Sequence, residues 1–446
     1  MAQPLALPAD PRPEEPLAAA PAPPGSGWSP ALRIAFRFVF SYLVLFNLPY
    51  ALGYVPWIGG VEEAYSGLWQ TFALWLGRHV FHLRRMPVDP DLGGDTTVYW
   101  LRLLAIIAVA IAAGLAWTLL DRRRTEYRRL HEALRLPARY ILGFTMFNYG
   151  MIKVIQSQFI VLHFPKLQET YGELSPMGLL WTFMSYSATY NVFTGAAEAV
   201  GAILLFFRRT TLLGALILVA VLTHVVLINF SYDVIVKIYS LNLLLLALFL
   251  LAPDLPRLAD LLVRHRPTQP RQVPPWRFDS GWAKAGRLTV KALFIGYFLF
   301  TLTRDRLEMK RGIDQRRAEQ WEVFALTYKV DEFVRNGRPV PPSPADPSRW
   351  QRLYFRHGTL SVRVGEGDLL AFPAEYSAGR TTVTVWSPGR KTRLGVLTCS
   401  RPDASHLVLT GKLGNDSLAI RAHKLDLHFS LRDRGFHWIN EAPVDR

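Results

Sequence analysis

The sequence predicts a mainly α-helical membrane protein of about seven transmembrane helices, followed by a small antiparallel β domain, sandwich or barrel. Three observations carry this. Between residues 136 and 258 four apolar segments of helix length follow one another, and they enclose polar groups that a bilayer tolerates poorly. Lys and Arg gather in short loops beside the apolar segments. From about Trp321 the texture changes to period-2 alternation, punctuated by Gly, Pro, Asp and Asn.

Residues 1–30 are mostly Pro, Ala and Glu, with no basic stretch leading into an apolar one. A secretory signal peptide is not expected there, and the stretch is expected to form a disordered cytoplasmic tail. About 20 apolar residues cross the hydrocarbon core, which places spans at 31–52, 98–120, 137–155, 188–207, 210–229, 237–253 and 284–303. Segment 64–83 is amphipathic: Trp69, Phe72, Leu76 and His79 are spaced like one helix face, so it is expected to lie on the membrane rather than cross it. The organisation that follows is an N-terminal membrane region over 31–135, a four-helix core over 136–258, a basic loop over 259–283, a last span over 284–303, and an extracytoplasmic β domain with its connecting segment over 304–446. The linker 337–347 is too rich in proline for regular structure.

Charge sets the orientation. The chain carries 51 Lys+Arg against 35 Asp+Glu, a net charge of +16. A nucleic-acid partner is not expected, because the excess is spread over short loops. Arg122, Arg123, Arg124, Arg128, Arg129, Arg135 and Arg139 lie between spans two and three, Arg208 and Arg209 between four and five, and a third basic group between six and seven. The opposite loops hold few. The N-terminus is therefore cytoplasmic, seven crossings put the β domain outside, and a bacterial inner membrane is the expected location. The lone cysteine, Cys399, excludes an intramolecular disulfide and any multi-cysteine metal site. Electron transfer by this chain requires a bound cofactor or a substrate that carries electrons.

Several phrases in the core are specific. The third span ends in Phe144-Thr-Met-Phe-Asn-Tyr-Gly-Met-Ile-Lys153, and a loop with Ser175-Pro-Met-Gly-Leu-Leu-Trp181 follows. The fourth span carries Thr194-Gly-Ala-Ala-Glu-Ala-Val-Gly201, followed by the turn Arg208-Arg209. The fifth ends in His224-Val-Val-Leu-Ile-Asn-Phe-Ser-Tyr-Asp233, and the sixth starts at Val236-Lys237. Over about residues 137–255 the chain resembles the DoxX family of four-helix membrane proteins, as an enlarged member. In that family the first helix ends in a Tyr/Phe-Gly-x-x-Lys pattern, and the second has Gly-x-x-Glu before an Arg-rich turn. The resemblance implies a redox role, since relatives are associated with thiosulfate:quinone oxidoreduction and with complexes that handle oxidative stress.

The residues point to a site on their own account. A carboxylate at mid-membrane depth is costly and calls for a partner or a task, and Glu198 sits near the centre of its span. Small residues around it, Gly195 to Ala202, let neighbouring helices approach closely. Lys153, His224, Asn229, Asp233 and Lys237 fall in the extracytoplasmic half, and Tyr149 shares a helix face with Lys153. A quinone needs an apolar slot for its tail, donors for two carbonyls and a proton source. Glu198, Lys153 and His224 are the candidates for proton chemistry, and Tyr149, Asn148, Asn229, Asp233 and Lys237 for holding the quinone. Plainer roles compete. Lys153 and Lys237 can snorkel to the interface. His224 can be a packing histidine, Glu198 half of a structural ion pair with Lys153 or Lys237, Asn148 helix–helix glue, and Asn229 and Asp233 turn residues. No metal site is expected, because no His, Cys or acidic residues stand at ligand spacing.

Lys284, Arg287 and Lys291 share one face of the last span, which suits lipid headgroups. In the β domain Arg434-Gly-Phe-His-Trp-Ile-Asn-Glu441 either closes the core as a last strand or lines a ligand pocket. Cys399 reads as a buried apolar residue. No nucleophile elbow, phosphate loop or zinc helix motif occurs, so a soluble catalytic centre is not expected. The first functional expectation is a component of a quinone-linked oxidoreductase system. The alternatives are a membrane anchor whose β domain recruits an extracytoplasmic protein, and a protein that handles lipid or small solutes.

Overall fold

The structure, a computed structural model, describes residues 27–53, 59–84, 86, 94–159, 167, 169, 171–269, 280–321, 327–343, 346, 348–356, 358–365, 368–377, 379, 381–390, 392–426 and 428–433. The chain divides into two compact units, residues 1–88 with 97–137 and residues 89–96 with 138–446.

The first unit contains α1 (Pro30–Gly53), α2 (Gly59–His79), α3 (Thr97–Leu120) and the start of α4 (Arg128–Val154). A buried arginine ties the loop between α3 and α4 together. Arg37 donates to the Tyr127 hydroxyl (2.8 and 3.0 Å), to Thr118 Oγ1 (2.9 Å) and to the Asp121 carbonyl (2.8 Å). The Tyr127 hydroxyl in turn donates to Asp121 Oδ2 and holds that carboxyl below its ordinary pKa. A guanidinium in an apolar helix is tolerated because its donors are satisfied in this way. In α2 the buried side runs through Trp69 and Ala73, with Leu76 partly buried, against Val98 and Leu101 of α3. The face expected through Trp69, Phe72, Leu76 and His79 is therefore split: Phe72 and His79 are exposed and flank Trp75 in a ring stack.

Six helices among the described residues are long and apolar enough to cross a membrane: Pro30–Pro49, Thr97–Leu120, Ala188–Leu205, Thr211–Ser231, Lys237–Leu262 and Gly281–Gln315. The expected span 137–155 forms a helix, but α4 is not in this set. It begins nine residues earlier, at Arg128, and carries Arg139, Asn148 and Lys153. Its polar groups are accommodated because it is the inner helix of the second unit. Residues 141–147 are buried in succession, as in a helix enclosed on all sides.

Against α4 pack α6 (Ala188–Leu205), α8 (Lys237–Leu251) and α10 (Gly281–Trp321), and the unit also holds α7 (Thr211–Ser231) and the shorter α5 (Pro176–Tyr186) and α9 (Leu255–Leu262). The stretch Ser175–Trp181, expected as a loop, opens α5: Ser175 Oγ caps it by accepting from the Gly178 N–H, and Pro176 occupies the first turn. Ser187 repeats the device for α6 through the Tyr190 N–H. The last helix also departs from expectation. It runs 41 residues, about 60 Å at 1.5 Å per residue, twice a hydrocarbon core of about 30 Å. Its continuation beyond 303, expected as a connecting segment, is helical because Arg304–Glu308 and Lys310–Asp314 pair one turn apart.

The terminal region resolves to a barrel, not a sandwich. Strands β1 (Thr327–Arg335), β3 (Trp350–Arg356), β4 (Thr359–Val364), β5 (Asp368–Tyr376), β6 (Thr382–Trp386), β7 (Arg393–Ser400), β8 (His406–Leu413) and β9 (Asp416–Leu425) pair antiparallel in sequence order. The ring closes from Thr327↔Leu425 to Arg335↔Leu418. Closure removes the exposed strand edges. Alternate side chains fill the interior, among them Tyr328, Phe333, Leu353, Phe355, Leu360, Val383 and Leu397. The linker is not wholly irregular. Asn336 and Gly337 take positive φ (53° and 75°) and turn the chain into a two-residue strand β2 (Arg338–Pro339). Strand β9 ends at Leu425, and residues 430–433 form a short helix, α11 (Ser430–Asp433). The phrase 434–441 lies outside the described residues.

Cys399 is buried in β7, and burial pushes its thiol up to about 11. The thiolate is the reactive form, so iodoacetamide at pH 8 is expected to label the unfolded chain at least tenfold faster than the folded protein. Equal rates would show that Cys399 is accessible.

Candidate functional site

The polar site grows from two close helix crossings. Where α4 meets α6, a Cβ built on Gly150 would lie 2.6 Å from the Gly195 carbonyl oxygen, and one built on Gly195 would lie 2.6 Å from that of Gly150. Only glycine lets the two backbones touch. Where α6 meets α7, a Cβ on Gly214 would lie 2.8 Å from the Gly201 carbonyl oxygen. Arg139 Nε donates to the Leu205 carbonyl at the far end of α6 (2.8 Å), so α4 and α6 run antiparallel. Tyr140–Phe294, Phe144–Phe298 and Asn148–Arg306 follow in order along the pair, so α4 and α10 run parallel.

Glu198 and Lys153 each sit three residues past their crossing glycine. Glu198 is 2% exposed. Lys153 Nζ donates to Glu198 Oε1 in a short ion pair, with the lysine side chain 12% exposed. Lys153 lies in the last turn of α4, where the helix dipole favours a cation. The other carboxylate oxygen, Oε2, is buried and has no hydrogen-bond partner among the described residues. A buried acceptor in that condition is costly. A ligand hydroxyl or amine would satisfy it.

The other expected site residues distribute around this pair. Tyr149 packs toward Tyr239 of α8 (ring centroids 6.4 Å), and the Tyr239 hydroxyl lies 3.5 Å from Thr145 Oγ1. Asn148 accepts from Arg306 Nε of α10 (2.9 Å), so it joins two helices. His224 is exposed on α7, and no hydrogen bond or ion pair links it to Glu198 or Lys153. Asn229 is buried, with its Nδ2 unpartnered among the described residues. Lys237 pairs with Asp233 (2.6 Å) and lies 3.8 Å from Asp95, not with Glu198. Asp233 itself is 80% exposed at a positive-φ turn. Asp95 caps α8 by accepting from the Lys237 and Ile238 N–H groups (2.7 and 3.1 Å). The structure therefore makes two clusters of what the sequence offered as one: Lys153–Glu198 within the bundle and Lys237–Asp233–Asp95 at the start of α8.

Arg306, Asp95, Thr145 and Tyr239 were not legible as neighbours of the site. Arg306 and Asp95 act across 158 and 142 residues of chain, and no local spacing signals such a contact. No group of three or more His, Cys, Asp or Glu side chains among the described residues is placed to hold a metal ion.

No family model matches the chain, and no solved structure matches it. Among curated proteins the chain is similar to the uncharacterized protein YwoB of Bacillus subtilis (strain 168), at 36% identity over 149 residues. The match takes in 32% of this chain and 94% of the relative.

Proposed function

The chain belongs to the same family as the uncharacterized protein YwoB, and we propose that its helical core is a membrane-embedded quinone site in a quinone-linked oxidoreductase system of the DoxX type. The observation that carries this reading is the Lys153–Glu198 pair with its unpartnered Oε2. The donor set suits the headgroup in both oxidation states. A quinone offers only acceptors, and the Lys153 ammonium has N–H groups beyond the one given to Glu198. A quinol offers hydroxyl donors, and Glu198 Oε2 is an acceptor in need of one. A bound quinone would supply the capacity to take up two electrons with two protons. The protein's part is to hold the headgroup in an apolar, water-poor bundle and keep a carboxylate and an ammonium within reach for proton exchange. Tyr149 and Asn148 stand four and five residues before Lys153 on the same helix and would bound the site. His224, exposed on α7, has no part in it.

In this reading α4 is the seventh crossing. Its antiparallel run to α6 and parallel run to α10 suit a path that alternates from α1 through α3, α4, α6, α7 and α8 to α10. With the arginine-rich loops inside, the N-terminus is cytoplasmic and the barrel lies outside a bacterial inner membrane. Protein purified in mild detergent is expected to carry about one quinone per chain, and Glu198→Gln to lose it while remaining folded. Absence of quinone from both proteins would move the assignment to a membrane anchor whose barrel binds an extracytoplasmic partner.

A further inference from the structure

At the end of the bundle opposite Lys153, three segments bring cations together. Arg139 bonds to the last carbonyl of α6, and Arg208 and Arg209 follow in the turn to α7. On α10 the Lys291 ammonium lies 5.5 Å from the Phe207 ring centroid, within electrostatic reach of both Arg139 and Arg287. Stretches 138–147, 203–215 and 281–303 together hold Arg139, Arg208, Arg209, Lys284, Arg287 and Lys291, and no Asp or Glu. The 21-residue α7 begins at Thr211, so the positive end of its dipole points into the same turn. Arg208, Arg209 and Arg287 are exposed, and beside them Phe207, Leu288 and Leu293 expose apolar side chains. Cations gathered from three segments suit an anionic headgroup, and the exposed apolar flank next to them suits hydrocarbon chains.

We propose that this end of the bundle binds the headgroup phosphate of an anionic phospholipid, seated between the start of α10 and the α6–α7 turn, with its acyl chains along α10. The site is independent of the quinone reading: it lies at the other end of α4 and uses none of the same residues.

The test is titration of phosphatidylglycerol into the detergent-purified full chain, with phosphatidylcholine as the neutral comparison and inorganic phosphate as competitor. Phosphatidylglycerol is expected to bind at least tenfold more tightly than phosphatidylcholine. Arg287→Gln/Lys291→Gln is expected to weaken it about thirtyfold, from two cations near a surface anion. Arg122→Gln/Arg123→Gln, which removes the same charge elsewhere, is expected to change it less than threefold. The charge-keeping Arg287→Lys/Lys291→Arg is expected to retain binding, which separates lost charge from lost fold. Equal binding of both lipids, an equal loss in the control pair, or displacement of the lipid by millimolar phosphate would overturn the proposal.

Discussion

Lys153→Met is expected to destabilise the helical bundle by about 3–5 kcal/mol, the usual cost of stranding one partner of a buried ion pair. Glu198 is almost wholly enclosed and already has one oxygen without a donor among the described residues. Removing the ammonium leaves the carboxylate with no hydrogen bond at all, and it must either take up a proton or draw water into the α4–α6 contact. The double variant Lys153→Met/Glu198→Leu removes both charges at similar volume and is expected to recover most of the loss, since apolar replacements of buried pairs are often neutral or stabilising. Thermal unfolding in detergent at neutral pH reads both variants. Lys153→Met melting with the wild type would mean that Glu198 has another partner or that the site is wet.

Gly150→Ala is expected to cost about 3 kcal/mol, the upper part of the range for overpacking a tight contact. The new methyl carbon would lie 2.6 Å from the Gly195 carbonyl oxygen and 2.8 Å from the Ala199 nitrogen. Both atoms belong to backbone, so no side chain can rotate out of the way. The helices must part, and Lys153 and Glu198, one turn further along, part with them. The comparison is Gly286→Ala in α10, where an added Cβ meets nothing within 4 Å. There the change is expected to be neutral or to stabilise the helix by up to about 1 kcal/mol. If Gly150→Ala behaves like Gly286→Ala, the close crossing is wrong.

Much of the architecture was readable from local pattern, because both membrane spans and barrel strands write their periodicity into sequence. The runs 98–120 and 210–229 match α3 and α7 to within one or two residues, and the period-2 texture read after Trp321 became the barrel strands. The reading weakened where a helix is defined by its neighbours. The span read at 137–155 lies within the longer helix α4, which starts at Arg128, and its Asn148, Tyr149 and Lys153 each meet a different partner helix, which hydropathy did not reveal. Helix extension beyond the bilayer was hidden as well, because residues 304–321 read as a charged linker until their one-turn ion pairs are seen. At the site, the small residues from Gly195 to Ala202 marked a close approach and Glu198 a buried charge, since a mid-span carboxylate is rare and specific. The choice of Lys153 over Lys237 as partner depends on helix rotation, which hydropathy does not encode. His224 misled for the same reason. Its height in the membrane suited the site, but it is exposed on its helix.

The ion pair serves equally well as a structural staple or as the polar end of a ligand site, and Glu198→Gln alone confounds the two, because it strands Lys153. The most direct measurement is therefore the quinone content of purified Lys153→Met/Glu198→Leu, taken at a temperature where its melting curve shows it folded. A quinone site built on this pair predicts a folded protein with less than about a tenth of the wild-type quinone, as expected when two charge-assisted hydrogen bonds are lost. Wild-type quinone in the folded double variant would contradict the assignment and leave the pair a purely structural contact between α4 and α6.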